Sequence, residues 1–202
     1  MRRVVGPDYP IGMKLNSADF QRGGFSADES IEVARALSSL GMDLIEISGG
    51  TYEAPAMTGR KAKDSTLARE AYFLEYCEQI RKVVKTPLLL TGGFRSLAGM
   101  EEALKSGACD VIGLARSLAV EPEFSNALLQ YSGQGKSPVS VVHPLTTGVQ
   151  ALDQILPLEI TWYTKQIHRM GAGLDPDPKL GVYRMAFETV FSMVASLAKS
   201  RN

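Results

Sequence analysis

Four short apolar runs recur along the chain, and segments with helical spacing separate them. The runs lie at Ile11–Leu15, Leu44–Ile47, Pro87–Leu90 and Asp110–Ile112. Continuous apolar runs of this length predict buried strands, because a parallel strand that is covered on both faces loses the alternation of a half-exposed one. Strands that alternate with helices predict parallel pairing and therefore an α/β fold.

The predicted helices between these strands carry recognisable end signals. Ser26 and Glu29 have the spacing of a capping box, which predicts a helix start, and Gly41 predicts where that helix ends. A helix over about residues 66–84 follows the second strand and a long loop, and Ser96 is placed to cap a third helix. Together these elements predict four βα units.

The pattern changes in the last third of the chain. The segment from residue 137 onward lacks the rhythm of strands and predicts a mainly helical extension, with a final amphipathic helix over residues 182–198. The sequence therefore predicts two domains: residues 1–125 carry the βα units, and residues 126–202 form a helical C-terminal extension that packs on them.

Composition narrows the class of protein. The 202 residues are 45% hydrophobic and 22% charged, which is typical of a globular chain. The chain has 22 lysine and arginine residues and 22 aspartate and glutamate residues, so its net charge does not favour binding to nucleic acid or to an anionic membrane. Cys77 and Cys109 are the only cysteines, and no apolar run suits a membrane span or a signal peptide. These features predict a cytoplasmic location.

The candidate chemistry lies in two motifs at the ends of predicted strands. The sequence TGGFR at Thr91–Arg95 follows the third strand, and GLAR at Gly113–Arg116 follows the fourth. Loops after the last two strands of a (β/α)8 barrel commonly bind phosphate, and Arg116 adds forked donors that suit phosphate oxygens. The motifs predict a phosphorylated cofactor. The alternative is that Gly92 and Gly93 only make a tight turn and that Arg116 is a surface charge.

Longer stretches of the chain resemble a known family. The runs YPIGMKLNSADFQRGGFSADESIEVARAL, DLIEISGGTYEAPAM, TGGFRS and DVIGLARSLAVEP, within residues 3–125, resemble the C-terminal half of the old yellow enzyme family of FMN-dependent NAD(P)H:flavin oxidoreductases. The run ITWYTKQIHRMGAGLDPDP is similar to the tail of bacterial members. The resemblance implies half of a (β/α)8 TIM barrel that holds FMN. In this family FMN takes hydride from NAD(P)H and passes it to a small electron-poor alkene such as an enone.

The resemblance also implies roles for individual residues. Lys14 matches the basic residue beside the flavin pyrimidine edge, where a cation favours the negative charge of reduced flavin. Gly92, Gly93, Ala115 and Arg116 match the ligands of the FMN phosphate. Many members have glycine where this chain has Ala115, but the implied ligand is a backbone N–H group, so a methyl group should be tolerated.

The catalytic residues of the family match nothing in this chain. The resemblance implies that the first four βα units, which carry the paired His/Asn or His/His and the tyrosine proton donor, lie outside these 202 residues. No catalytic residue or metal ligand is therefore predicted here. His143 and His168 are interpreted as structural or exposed, and Glu46 as a hydrogen-bonding residue. Tyr52 and Met57 either contact flavin or substrate, or pack in a surface loop.

A half-barrel is expected to associate with other chains, because its first and last strands would each expose an unpaired apolar edge. Two chains could pair as a homodimer that completes the barrel, the chain could be a fragment of a longer enzyme, or it could be a truncated product that folds poorly. Two functions stay open. One is an FMN oxidoreductase that is weak or inactive as this chain alone, and the other is a non-catalytic half-barrel that binds FMN or another phosphate.

Overall fold

A computed structural model describes most of the chain. The described residues are 1–50, 70–141, 145–149, 153, 158–185 and 187–188. Tyr52, Met57 and His143, together with most of the predicted helix over residues 182–198, lie outside them.

The secondary structure of the described residues alternates between strands and helices along the first two thirds of the chain. The strands are β1 (Gly12–Asn16), β2 (Leu44–Ser48), β3 (Leu88–Thr91) and β4 (Val111–Gly113). The helices are α1 (Arg2–Val5), α2 (Ala27–Ser39), α3 (Leu74–Arg81), α4 (Leu97–Lys105), α5 (Arg116–Val120), α6 (Phe124–Gln130) and α7 (Leu158–Gly171). Residues 182–185 and 187–188 are also helical.

The strands form one parallel sheet in the order β1-β2-β3-β4. β2 begins at the predicted residue, and the other three strands begin one residue after the predicted position. The predicted α/β class with four parallel βα units is confirmed. The core of the sheet consists of Ile45, Ile47, Leu88 and Leu90, each of which is fully buried. Helices occupy the crossovers between successive strands, as parallel pairing requires.

The predicted helix ends are confirmed where the signal is local. The Ser26 N–H group donates to Glu29 Oε2 at 2.8 Å, and the Glu29 N–H group donates to Ser26 Oγ at 3.3 Å, which completes the capping box of α2. Gly41, which follows α2, has a φ of 79°. The Gly99 N–H group donates to Ser96 Oγ at 3.2 Å, so Ser96 caps α4.

The predicted helix over residues 66–84 is wrong for residues 70–73 and 82–84, because α3 spans Leu74–Arg81, and residues 66–69 lie outside the described residues. The residues before it make other contacts. The Tyr72 N–H group donates to the Gly92 carbonyl at 3.1 Å, and Glu70 has a φ of 64°. A left-handed residue cannot continue a right-handed helix, so the backbone of residues 70–73 is held by the loop after β3 instead.

The described residues divide into two compact units. The first consists of residues 1–115 and 127–139, and the second of residues 116–126 and 140–202. The segment 116–126 thus groups with the later part of the chain. The domain boundary predicted between residues 125 and 126 stays a prediction.

The second unit has its own hydrophobic core. This core consists of Val120, Leu158, Trp162, Leu180 and Met185. Trp162 is fully buried, and its indole N–H group donates to the Leu180 carbonyl at 2.8 Å. An aromatic ring with a satisfied polar group is an effective anchor for a small core.

The prediction of a mainly helical segment from residue 137 onward is wrong for residues 137–141 and 145–149, which are not helical. Their backbone groups have other partners. Val139 forms an isolated antiparallel bridge with Ser96, and the Thr147 N–H group donates to Asp153 Oδ1 at 2.7 Å. Helical structure in the described part of this segment is found in α7 and at residues 182–185 and 187–188, whereas residues 172–181 between them are not helical. Within the described ranges, none of the helices has the length and apolar character needed to cross a membrane.

Candidate functional site

A chain of polar side chains crosses the sheet from the middle of β1 and β2 to the C-terminal end of β3. Lys14 on β1 is the register partner of Glu46 on β2, and its ammonium group donates to Glu46 Oε1. The Thr91 hydroxyl on β3 donates to the same oxygen at 3.0 Å. The Lys14 side chain is 57% exposed, so the ion pair adds little stability. Its effect is to orient a cation on one face of the sheet.

The two predicted phosphate motifs leave the sheet side by side. Thr91, the first residue of TGGFR, is the register partner of Gly113, the first residue of GLAR. A Cβ atom at Gly113 would lie 2.7 Å from the Leu89 side chain and would also overlap the Thr91 hydroxyl, so a larger residue there would displace both side chains. Ala115 follows two residues later in the first unit. Arg116 begins α5, which belongs to the second unit.

The glycine pair of the TGGFR loop has a structural role of its own. Gly92 has a φ of 137° and Gly93 a φ of 84°, which are conformations that L side chains rarely adopt. A Cβ atom at Gly92 would lie 2.8 Å from the Phe73 ring. A Cβ atom at Gly93 would lie 2.5 Å from the Tyr72 ring and would overlap the Glu70 carbonyl. Packing against residues 70–73 therefore requires both glycines, whatever ligand the loop binds.

Glu70 holds the same loop through its side chain, and no sequence pattern predicts this role. Its side chain is 11% exposed, and its Oε2 atom accepts hydrogen bonds from the N–H groups of Arg95 at 2.8 Å and Ser96 at 3.0 Å. Its Oε1 atom lies 4.0 Å from the Arg95 guanidinium. A buried carboxylate on two backbone amides is a strong, charge-assisted contact. The predicted helix over residues 66–84 would have placed this side chain differently.

These contacts limit how a flavin phosphate could bind. The backbone N–H groups of Arg95 and Ser96 already donate to the Glu70 carboxylate, so they are not donors for a phosphate. The donor chemistry still fits a phosphorylated flavin at the glycine pair and at Ala115, because backbone amides at the carboxyl ends of parallel strands suit anions. Lys14 adds a cation on the same sheet.

The two cysteines do not have the properties of nucleophiles. Burial raises the pKa of the Cys77 thiol to about 12, and the nearby Cys109 contributes to the same shift. The Cys77 thiol donates to the Ala108 carbonyl at 3.2 Å. Burial, followed by the negative charge of Asp110, also raises the pKa of Cys109. Both thiols are therefore protonated at neutral pH, and a protonated thiol is a poor nucleophile.

We expect both thiols to resist a thiol reagent such as Ellman's reagent in the native protein at mildly alkaline pH. Because folding raises the pKa of Cys77 from its ordinary value of 9.0 to about 12, the protonated thiol adds to the free energy of unfolding. This contribution is complete below pH 9.0 and is lost as the pH rises through about 12. Modification should therefore proceed only as the protein unfolds, and it should be immediate in denaturant. Rapid labelling of native protein would contradict the buried placement.

His168 is exposed on α7 in the second unit, as predicted, and therefore lies outside the polar chain on the sheet. Within the part of the chain that the structure describes, no cluster of three or more His, Cys, Asp and Glu side chains could hold a metal ion. The candidate site is thus built from Lys14, Glu46, Thr91 and the glycine loop.

Comparison with curated proteins gives named relatives. The NADH-dependent flavin oxidoreductase iccE of Talaromyces variabilis is 33% identical over 184 residues, which cover 84% of this chain and 44% of that protein. The NADH-dependent flavin oxidoreductase iliE of Neonectria sp. (strain DH2) is 38% identical over 130 residues, which cover 60% of this chain and 17% of that protein. The chain thus spans less than half the length of either relative. No family model matches the chain.

A solved structure supports the same assignment. The complex of 2-naphthoyl-CoA reductase with 2-naphthoyl-CoA superposes with a TM-score of 0.56 and 26% identity, covering 64% of this chain and 19% of that chain. With the parallel sheet, this likeness confirms that the fold is part of a (β/α)8 barrel. The proteins that the chain resembles are thus flavin oxidoreductases and a reductase. The chain is homologous to the NADH-dependent flavin oxidoreductases, and its resemblance to the old yellow enzyme family is confirmed.

Proposed function

We propose that the chain supplies the FMN-binding part of an NAD(P)H-dependent oxidoreductase of the ene-reductase type. The observation that carries this proposal is the pairing of Thr91 with Gly113, which brings the TGGFR and GLAR motifs to adjacent strand ends. The names of the relatives, NADH-dependent flavin oxidoreductases, support the same function. FMN, when bound, transfers hydride from NAD(P)H to an activated alkene such as an enone.

Different residues of the chain are proposed to bind the FMN phosphate and to place a positive charge on the sheet. We assign the phosphate to the backbone amides at Gly92, Gly93 and Ala115 and to the Arg116 guanidinium, whose planar fork suits an oxyanion. Lys14 keeps a positive charge on the sheet, and its bond to Glu46 restricts where its ammonium group lies. A cation held in place favours negative charge that develops nearby without reorganisation during the reaction.

The catalytic residues must come from a complementary set of βα units. In the described sheet β1 and β4 each pair on one side only. We propose that four further βα units close the barrel and bring the residues that bind the substrate carbonyl and donate a proton. A second copy in a homodimer would close the barrel without these residues, because none of them is predicted in this chain. The residues that bind and protonate the substrate therefore come from a segment other than these 202 residues. The cytoplasmic location stays a prediction.

This function is tested by following the reduction of bound FMN by a nicotinamide and its reoxidation by an enone, both under anaerobic conditions. NADH or NADPH should bleach the absorbance of bound FMN, and an enone should restore it. We expect slow or absent turnover by the 202-residue chain alone, since the substrate is then poorly positioned. Bound FMN that neither nicotinamide reduces, even with a complementary half present, would instead favour a non-catalytic FMN-binding or phosphate-binding half-barrel.

Replacing Arg116 with alanine should weaken FMN binding by about 1.5–3 kcal/mol, or roughly 10- to 150-fold, because a charge-assisted contact to the phosphate is lost. Fluorescence titration measures this change. The matched control is Arg35→Ala, which removes an exposed cation paired with Glu32 on α2 and should leave binding unchanged. Equal affinities for wild type and Arg116→Ala would contradict the phosphate assignment.

A further inference from the structure

A second concave site lies within the second compact unit, between α7 and the helical residues 182–185 and 187–188. Its volume is about 250 Å³. We name it the basic groove after the charged side chains that line it, which are Lys165, His168, Arg169, Arg184 and Glu188. None of these residues takes part in the proposed flavin site.

The walls of the basic groove are fixed by contacts between α7 and the segment that follows it. The Gln166 amide accepts from the Asp177 N–H group at 2.7 Å and donates to the Asp177 carbonyl at 3.3 Å. The Arg169 Nε–H group donates to the Asp175 carbonyl at 2.9 Å. With the Trp162 indole on the Leu180 carbonyl, these bonds hold residues 175–180 against the helix. The groove is therefore preorganised.

The charges around the groove are unbalanced. Three permanent cations, Lys165, Arg169 and Arg184, line it together with one carboxylate, Glu188, so two positive charges are in excess. The whole chain has a formal net charge of zero, so this excess is a local concentration of charge. A concave surface lined by one sign of charge attracts the opposite one.

Glu188 shows that the groove accommodates an oxyanion. Its Oε2 atom lies 3.2 Å from Lys165 Nζ, and its Oε1 atom accepts from Arg184 Nε at 2.9 Å. The hydrogen bond from Lys165, followed by that from Arg184, lowers the pKa of the Glu188 carboxyl group. Lys165 and Arg184 therefore both pair with the Glu188 carboxylate, which competes with any anion that binds from solution.

We propose that the basic groove binds a phosphate monoester with a small apolar body. The two excess positive charges match a phosphate dianion, and Arg and Lys donors suit its three terminal oxygens. Leu174 and Leu180 line the same cavity and offer apolar surface to the ester group. The site is independent of the proposed flavin function, since none of the residues that line it belongs to the proposed flavin site.

The test is a titration of the full chain, free of flavin, with phenyl phosphate. The signals of the His168 ring in proton NMR spectra report occupancy of the groove. We expect saturable shifts, weaker binding of inorganic phosphate, and no comparable shifts with phenol or sodium chloride. Absence of saturable shifts at millimolar phenyl phosphate would overturn the proposal.

Two variants with opposite expected effects on affinity distinguish binding in the groove from loss of folding. Arg184→Gln should weaken phenyl phosphate binding about tenfold, the effect of losing one charge-assisted contact. Glu188→Gln should strengthen binding, because it removes the competing carboxylate, and damage to the fold could not produce that result. Lys179→Gln, which changes an exposed cation outside the groove, is the control.

Two further outcomes would also overturn the proposal. One is that Arg184→Gln and Glu188→Gln change binding no more than Lys179→Gln does. The other is that Arg116→Ala abolishes phenyl phosphate binding while Arg184→Gln leaves it intact, since the ligand would then occupy the proposed flavin phosphate site. Thermal unfolding of each variant, followed by circular dichroism, verifies that the proteins compared are folded.

Discussion

Alanine at Gly93 is expected to lower the free energy of unfolding of the first compact unit by about 2–5 kcal/mol. Part of this cost arises because Gly93 has a φ of 84°, where a side chain costs about 1–2 kcal/mol. The rest comes from overlap of the new methyl group with the Glu70 carbonyl and the Tyr72 ring. Overpacking of this kind costs about 1–3 kcal/mol, and a backbone carbonyl yields less readily than a flexible side chain.

Urea unfolding of Gly93→Ala, followed by circular dichroism, measures this loss. Gly107→Ala is the matched control, because Gly107 has a φ of 74° but no atom within 4 Å of the position its Cβ would take. The control should show the conformational cost alone. Equal destabilisation of the two variants would show that the TGGFR loop does not pack against residues 70–73 as described.

Alanine at Glu70 is expected to cost about 2–4 kcal/mol of stability and to weaken FMN binding as well. The substitution removes the acceptor of two backbone amides, those of Arg95 and Ser96, and leaves both without their partner. Loss of a charged acceptor costs about 1.5–3 kcal/mol, and unpaired buried donors add to it. The loop that carries Gly92 and Gly93 then loses its anchor, so its amides are less well positioned for an anion.

Two further variants define the role of Glu70. Glu70→Gln keeps an oxygen acceptor but no charge, so its effects should be intermediate. Glu101→Ala removes an exposed carboxylate that pairs with Lys105 on α4 and should change stability by less than about 0.5 kcal/mol. If Glu70→Ala were as mild as Glu101→Ala, the carboxylate would not hold the loop.

The parts of the fold that could be predicted from sequence are those with short-range causes. Ser26 and Glu29 are three residues apart, and their reciprocal bonds depend on nothing else in the chain. Ser96 caps its own helix in the same way. The adjacency of the two glycine motifs also followed from sequence, because consecutive strands in a parallel sheet commonly pair as neighbours.

The parts that could not be predicted depend on contacts between distant segments. Residues 70–73 lie in an apolar, helix-like sequence, yet Tyr72 bonds to the Gly92 carbonyl, 20 residues further on. Glu70 reaches the Arg95 and Ser96 amides over a similar separation. Helical periodicity carries no information about such partners, because tertiary hydrogen bonds compete with the helix only once the sheet has formed.

The central claim is that the glycine loops at the ends of β3 and β4 bind the phosphate of FMN. The most direct test is to titrate the 202-residue chain with FMN and, in parallel, with riboflavin, which lacks the phosphate, and to follow flavin fluorescence together with the mass of each complex on a sizing column. We predict that FMN binds at least tenfold more tightly than riboflavin, the effect of about one charge-assisted contact. A dimeric mass for the complex would show that a second copy joins it. Equal affinities for the two flavins, or no binding of either, would contradict the claim.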